Sequence, residues 1–162
     1  MIRALFASLL LALSACAAAQ QAPAAPAWFV TRHLQKAEGA DPALTPQGRA
    51  CAVRLAERLA GESIGAIYVS STRRARETAA PLAERLGETP LEYDPRDTPA
   101  LVARLRQEGG RVLVVGHSNT VPDIVAGLGG ARPAAIADDR YGDLWLVSAD
   151  GGATSQLRID GC

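Results

Sequence analysis

Short apolar runs alternate with amphipathic segments along most of this chain, and this alternation limits the folds that it can adopt. Three of the runs are typical of buried strands: residues 28–31 (WFVT), 64–70 (IGAIYVS) and 111–116 (RVLVVG). The third is almost continuously apolar, as expected for a strand that is covered on both faces of its sheet. Strands that alternate with helices predict a mostly parallel sheet with helices on both sides.

Proline placement indicates where two of the predicted helices begin. Thr45 is placed as an N-cap before Pro46, and Thr98 precedes Pro99 in the same way. The remaining predicted elements are a helix over 71–87, a short strand over 89–93, a helix from Thr120 and a hairpin within 143–159. The fold class is therefore α/β: a single-domain, three-layer α/β/α sandwich with a mostly parallel sheet and a C-terminal hairpin.

The N-terminal segment does not follow this pattern. Residues 1–15 combine one positive charge, an apolar run of about ten residues and small residues, the layout of an export signal. That run is too short to cross a bilayer as a helix. The sequence LSAC at 13–16 resembles the lipobox of bacterial lipoproteins, which implies that Cys16 carries lipid. Residues 16–27 then form the lipidated cysteine and an Ala/Pro tether, and the domain covers 28–162.

The lipobox resemblance implies an exported, membrane-anchored lipoprotein that faces the periplasm or the cell exterior. An ordinary secreted protein with a chance cysteine is the alternative. The chain has 17 basic and 17 acidic side chains, so the basic face that nucleic-acid binding requires is not expected.

The two other cysteines are Cys51 and Cys162. Cys51 falls on the apolar stripe of a predicted helix, which favours a packed thiol. Cys162 is the last residue. In an oxidising compartment the two could pair, but sequence alone does not give their separation. No Cys/His spacing suggests zinc.

Candidate functional residues follow the predicted strands. The chain has two histidines, and both His33 and His117 come where an apolar run ends; Arg32 precedes the first, and Arg73 and Arg74 open a predicted helix. Ligands of open parallel sheets bind beyond the carboxyl ends of the strands, so these residues are expected in one crevice. Two guanidiniums favour a dianion such as phosphate. A neutral imidazole can attack phosphorus, while a second imidazole, preferably protonated, stabilises the transferred charge.

Three segments carry a further signal: Arg32-His33, residues 70–80 (SSTRRARETAA) and residues 114–119 (VVGHSN). Together they resemble the histidine phosphatase superfamily, which includes the phosphoglycerate mutase-like enzymes. They occur in the family's order, and the likeness covers nearly the whole chain after the tether.

This resemblance implies roles for four residues. His33 matches the nucleophile that becomes phosphohistidine, and His117 matches the second catalytic histidine. Arg32 and Arg74 match the phosphate-binding arginines; Arg74 is preferred over Arg73 because the family's arginine directly precedes an alanine.

Other residues depart from the family's pattern or are assigned by ordinary helix chemistry. Leu34 stands where the family usually has glycine. Many members place an acidic residue after the third strand, and this region offers three candidates for the general acid: Glu92, Asp94 and Asp97, of which Asp97 is favoured. Ser118 and Asn119 are expected to cap a helix rather than bind phosphate.

The sequence thus predicts a phosphomonoester hydrolase with a phosphohistidine intermediate that needs no metal or organic cofactor, because fixed cations meet the developing charge. Short predicted connections favour it over a phosphomutase, which needs a covering insertion. The alternative is a non-catalytic, phosphate-binding lipoprotein. The expected substrates are phosphorylated small molecules or phosphoproteins. The expected membrane contact is the lipid anchor, and the chain is expected to be a monomer.

Overall fold

The computed structural model describes residues 25–150 and 154–162 of the 162-residue chain. The predicted export signal, the lipidation site Cys16 and most of the tether lie outside the described residues, so they stay predictions. Within the described part of the chain, no helix has the length and apolar character needed to cross a membrane.

Strands and helices follow one another in the predicted order. The elements of the described residues are β1 (Ala27–Arg32), α1 (Pro46–Leu59), β2 (Ile64–Ser70), α2 (Arg73–Leu86), β3 (Leu91–Tyr93), α3 (Thr98–Glu108), β4 (Arg111–Gly116), α4 (Val121–Gly127), β5 (Asp143–Ser148) and β6 (Thr154–Arg158). The short strand β3 and the C-terminal hairpin are both present.

All of these strands form one sheet in the order β3-β2-β4-β1-β5-β6. The pairs β3–β2, β2–β4 and β4–β1 are parallel, and β5 and β6 add an antiparallel hairpin at one edge. The prediction of a mostly parallel sheet is confirmed. Arg32 at the end of β1 is in register with Gly116 at the end of β4, so the residues that follow the two strands are neighbours.

Helices cover both faces of the sheet and bury two hydrophobic cores. Helices α1 and α2 contribute Leu55 and others to one core, and α3 and α4 contribute Leu105 and others to the second. Neighbouring residues of β4 face opposite sides, since Leu113 belongs to the first core and Val114 to the second. Each fully buried leucine stabilises the fold by about 2 kcal/mol. The three-layer α/β/α prediction is confirmed.

The helix caps agree with the sequence at α1 and differ at α3. The Thr45 hydroxyl accepts a hydrogen bond of 3.0 Å from the Gly48 N–H. In α3 the N-cap is Asp97 rather than the predicted Thr98, and its carboxylate accepts from the Ala100 N–H at 3.0 Å. A carboxylate also interacts favourably with the positive end of the helix dipole, which accounts for the difference.

Cys51 and Cys162 form a disulfide, with their Cα atoms 5.9 Å apart. The expectation of a packed free thiol at Cys51 is therefore wrong. Its inward-facing position on α1 brings it to the C-terminal turn, which sequence periodicity does not reveal. The bond joins residues 111 positions apart, and closing so long a loop removes about 4–5 kcal/mol of chain entropy from the unfolded state.

Candidate active site

The two histidines meet because β1 and β4 end side by side. His33 follows β1 directly, and its N–H donates to the Gly116 carbonyl at 2.9 Å, which extends the ladder by one residue. His117 follows β4. Their ring centroids are 5.4 Å apart in an edge-on arrangement, and both residues are buried, with 3% and 8% of their surface exposed. Both imidazoles can therefore contact one small ligand.

The structure places Arg32 and Arg74, and not Arg73, beside these rings. Arg74 opens α2 with its side chain 19% exposed, and its Nη2 lies 3.5 Å from His117 Nδ1. The Arg73 side chain is 58% exposed and is paired with Glu77 at 2.7 Å on the helix surface. The two side chains diverge because successive residues of a helix point about 100° apart.

A cavity of about 360 Å³ is lined by His33, His117, Arg32 and Arg74. Its wall also contains residues that had not been assigned to a site from the sequence, among them Lys36, Arg96, Ser118 and Asn119. The expectation that Ser118 and Asn119 cap a helix is wrong, since the N-cap of α4 is Thr120. A larger cleft of about 660 Å³ beside α3 and α4 contains no histidine, so size does not mark the chemically equipped site.

The ring of His33 is held in one tautomer. Its Nδ1 lies 2.9 Å from the Leu34 carbonyl, an acceptor, so Nδ1 carries the proton and Nε2 keeps a lone pair. Burial, together with the nearby His117, Arg32 and Arg74, lowers the pKa of His33 to about 3, against the opposing effect of the Leu34 hydrogen bond. The imidazole is therefore neutral at pH 7, as a nucleophile must be.

The ring of His117 is oriented by Ser70. Arg74 can only donate to Nδ1, so Nε2 carries the proton and donates to the Ser70 hydroxyl at 2.9 Å. Burial, followed by the charges of Arg74 and Arg32, lowers the pKa of His117 to about 4. The expected protonated second imidazole is thus neutral beside these cations. A dianion in contact would favour the protonated form. Ser70 is a site residue that was not singled out from the sequence.

The cavity is electrostatically suited to an anion. The Nε atoms of Arg32 and Arg74 are buried and have no hydrogen-bond partner among the described residues, which is costly for a donor. Their nearest carboxylates form only long ion pairs with them. Asp41 lies 3.8 Å from Arg74, and Asp138 lies 4.0 Å from Arg32. In the described ranges, no group of three His, Cys, Asp or Glu side chains is placed to hold a metal ion.

The turn after His33 accommodates Leu34 without strain. Leu34 has no positive φ angle, its side chain is fully buried in the α1–α2 core, and its N–H donates to Thr78 Oγ1 at 3.0 Å. On the other side of the turn, a Cβ at Gly48 would lie 2.1 Å from the Gln35 carbonyl, so α1 packs directly on this backbone. Helices α1 and α2 thus fix the strand end that carries the histidine.

None of the three candidate general acids lines the cavity. Glu92 pairs with Arg76 at 3.3 Å. Hydrogen bonds from Arg96 hold the pKa of Asp94 at about 2, so it is ionised at neutral pH. Asp97, the favoured candidate, caps α3 instead. Arg96, which lies between two of these candidates, does line the cavity, so this segment reaches the site while the three carboxylates do not line it.

The family model of the histidine phosphatase superfamily (branch 1) matches residues 24–96 of the chain. This range includes Arg32, His33 and Arg74, and the pairing of β1 with β4 then brings His117 to them. Over this range the chain resembles the histidine phosphatase superfamily. The resemblance inferred from the three sequence segments is therefore confirmed.

Several solved structures share the fold of this chain. They include the protein histidine phosphatase SixA complexed with tungstate, at 22% identity over 82% of this chain and 97% of SixA, with a TM-score of 0.64. Mycobacterial glucosyl-3-phosphoglycerate phosphatase is 17% identical over 84% of this chain and 99% of its own, with a TM-score of 0.64. SixA of Agrobacterium tumefaciens is 20% identical over 81% and 95%, with a TM-score of 0.60. No curated protein matches the sequence.

Proposed function

We propose that this protein hydrolyses phosphate monoesters through a phosphohistidine at His33. The observation that carries the proposal is the 2.9 Å hydrogen bond from His33 Nδ1 to the Leu34 carbonyl, because it makes Nε2 the nucleophilic nitrogen. That ring borders a cavity with Arg32, Arg74 and His117. The complex of SixA with tungstate, a tetrahedral dianion, supports an oxyanion as the ligand of this fold.

In the first step, Arg32, Arg74 and His117 bind the three non-bridging oxygens of the phosphoryl group. His33 Nε2 forms a bond to phosphorus as the bond to the ester oxygen breaks. The ester oxygen keeps the electron pair and takes a proton from solvent. The Leu34 carbonyl stays hydrogen-bonded to Nδ1–H and stabilises the positive charge that the ring acquires.

In the second step, water forms a bond to phosphorus and releases a proton to solvent, while the nitrogen–phosphorus bond breaks and its electron pair returns to Nε2, which leaves His33 neutral. The same cations stabilise the negative oxygens in both transition states, so the proposed chemistry requires no metal or organic cofactor. Transfer to a second hydroxyl instead of water would make the protein a phosphomutase, which product analysis distinguishes.

The surroundings of the cavity favour substrates with good leaving groups. Asp138 is the carboxylate that lines the cavity among the described residues, and its side chain is fully exposed. A donor in such a position gives little advantage over water as an acid, so the rate should depend steeply on leaving-group pKa. Aryl phosphates meet this requirement. Phosphohistidine proteins are included as candidate substrates because SixA is a protein histidine phosphatase.

The test is hydrolysis of a series of aryl phosphates with leaving groups of different pKa, in the presence of a chelator. We expect turnover by the purified protein, with rates that fall as the leaving-group pKa rises, and no turnover by His33→Ala. Arg73→Ala is the matched control, because its side chain lies on the surface. Phosphate binding without hydrolysis would establish the non-catalytic alternative, and inhibition by the chelator would indicate a metal-dependent hydrolase.

We further propose that the chain is exported and anchored through lipid on Cys16. The disulfide between Cys51 and Cys162 supports export, since such bonds persist in oxidising compartments. Of the three cysteines in the sequence, this bond leaves Cys16 for modification. Labelling with radioactive palmitate should mark the wild type and not Cys16→Ser. Equal labelling of both proteins would contradict the anchor.

The proposed anchor would precede the end of β1 that is opposite the histidines. The described domain begins at Ala27, the amino end of β1, whereas His33 follows the carboxyl end of the same strand. Six residues of strand separate the two by about 20 Å.

A further inference from the structure

The guanidinium of Arg32 is held along one edge by a segment distant in sequence. Its Nη1 donates to the carbonyls of Ala137 and Arg140, at 2.7 and 3.1 Å. The ring of Tyr141 packs against the guanidinium, with 4.4 Å from Cζ to the ring centroid. We name residues 137–141 the arginine clamp. Two carbonyls and one ring fix both the position and the plane of the group.

The clamp leaves the opposite edge of Arg32 available. Nε has no hydrogen-bond partner in the described part of the chain, and Nη2 has Asp138 only at 4.0 Å. Nε and Nη2 form a planar pair of donors, the geometry that binds two oxygens of one phosphoryl group. The clamp therefore selects which edge of the guanidinium faces the anion. It belongs to the 128–142 connection, which has no helix or strand and which no sequence pattern marked as part of the site.

The clamp in turn rests against the C-terminal turn. Gly142, the next residue, has φ +82°, and a Cβ there would lie 2.7 Å from Cys162 Cβ. The Ile159 N–H donates to the Gly142 carbonyl at 2.8 Å. Cys162 is fixed by its disulfide to Cys51 of helix α1. Covalent attachment to α1 therefore holds the chain end against the residue that follows the clamp.

We propose that the Cys51–Cys162 disulfide positions Arg32 for phosphate binding, acting through Gly142 and the arginine clamp. The proposal rests on the proposed function, since Arg32 matters only if the cavity binds a phosphoryl group. Reduction by a dithiol supplies two electrons and two protons, leaving two cysteine thiols and a cyclic disulfide of the reductant. Cys162 is then free to leave Gly142, and the clamp loses its support. Full phosphate affinity thus requires an oxidised protein.

The first arm of the test measures tungstate binding by calorimetry for the oxidised wild type, the reduced wild type and the Cys51→Ser/Cys162→Ser variant. We expect the Kd to rise about tenfold in the last two, as loss of alignment typically costs. A purely stabilising disulfide would lower the unfolding free energy and leave the Kd unchanged, which would overturn the proposal. Circular dichroism at the assay temperature verifies that each protein is folded.

The second arm tests the clamp without touching the disulfide. Tyr141→Ala removes the ring beneath Arg32 and should raise the tungstate Kd about tenfold, whereas Tyr141→Phe keeps the ring and should bind within about twofold of the wild type. Equal binding by the alanine and phenylalanine variants would contradict the clamp.

The third arm asks whether the disulfide acts through Arg32. In an Arg32→Ala background, the two serine substitutions should cause no further rise in Kd, because coupled residues are non-additive. An undiminished effect in that background would overturn the proposal. Failure of the proposed function has a different signature: the wild type would bind tungstate, with its disulfide dependence intact, yet hydrolyse no phosphoester. A wild type that bound no tungstate would overturn both.

Discussion

Two buried charged clusters of this molecule use similar side chains and pair them differently. At the start of β5, the buried carboxylate of Asp143 accepts hydrogen bonds from Arg140 and Arg158. Burial raises the pKa of Asp143, but hydrogen bonds from Arg140 and Gln156 and the charges of Arg140 and Arg158 keep it below its usual range. At the ends of β1 and β4, Arg32 and Arg74 each keep a buried Nε that has no partner among the described residues. The charges of the Asp143 cluster are paired within the protein, whereas the strand-end cluster retains N–H donors for an anion.

Arg111 shows which part of this difference matters. Its Nε is also buried and unpartnered, but its Nη2 lies 2.5 Å from Glu62 and its guanidinium lies 5.1 Å from the ring centroid of Phe29. An unpaired Nε alone therefore does not mark a binding site. The strand-end cluster differs because its carboxylates are exposed and no closer than 3.8 Å, and because two imidazoles lie between its cations.

The largest effect is expected from a substitution in the unpaired cluster at the ends of β1 and β4. Arg74→Ala should lower kcat/KM about 10²–10³-fold, because it removes a fixed positive charge from the phosphoryl oxygens. Steady-state hydrolysis of an aryl phosphate measures this. Arg73→Ala is the matched control and should stay within about twofold of the wild type, since exposed ion pairs contribute little. Equal losses in both variants would remove the distinction between the two arginines.

The next largest effect is expected from a substitution in the paired cluster around Asp143. Asp143→Asn should lower the free energy of unfolding by about 2 kcal/mol, because hydrogen bonds to a buried charged group are lost. Urea titration measures the change. Arg74→Ala should change the same quantity by less than about 1 kcal/mol, because its removal leaves no buried charge unpaired. If Arg74→Ala proved the more destabilising of the two, the division into structural and functional clusters would be wrong.

The pH dependence of stability tests whether the two histidines of the strand-end cluster are buried in their neutral form. The folded-state pKa values of His33 and His117 are lowered to about 3 and about 4, whereas unfolded histidines titrate near about 6.5. Below that pH the unfolded state binds protons that the folded state does not. Stability should therefore fall as the pH decreases from about 6.5 to about 4, by about 1.4 kcal/mol per pH unit for each histidine. Urea unfolding at each pH measures it.

His33→Gln provides the control for this pH dependence. Removing one titrating imidazole should flatten the slope of unfolding free energy against pH between about 4 and 6.5, while slopes due to carboxylates remain. A slope identical to that of the wild type would show that His33 is not buried in its neutral form.

The smallest expected effect concerns the residue that sequence favoured as the general acid. Asp97→Ala should leave aryl phosphate hydrolysis within about twofold of the wild type, since the side chain caps α3 outside the cavity, and should cost about 1 kcal/mol of stability. Asp97→Ser retains a capping oxygen and should recover most of that stability. A large rate loss in both variants would reinstate Asp97 in the chemistry.

Local patterns predicted much of the fold. The apolar runs gave β1, β2 and β4, and the Thr45-Pro46 pair gave the start of α1, because these signals depend on neighbouring residues alone. The same local signals were enough to predict both histidines at strand ends. Local patterns did not predict the order of the strands in the sheet. Only the adjacency of β1 and β4, set by packing across the whole domain, brings the rings to 5.4 Å.

The features that sequence missed depend on contacts between distant segments. Ser70 orients His117 across 47 residues, and the arginine clamp reaches Arg32 across more than 100. Cys51 and Cys162 meet only when the C-terminal turn packs against α1. Each partner alone resembles an ordinary turn, loop or core residue. The capping role of Asp97, the favoured general acid, likewise depends on a contact that the sequence did not predict.

The most direct test of the central claim is to trap the covalent intermediate. The protein is mixed with a radiolabelled aryl phosphate, quenched in base within one turnover, and mapped by mass spectrometry. We predict the label on the imidazole of His33, in amounts that His33→Ala abolishes and Arg73→Ala leaves unchanged. Turnover that proceeds with no label on the protein, or with the label on another residue, would contradict the account.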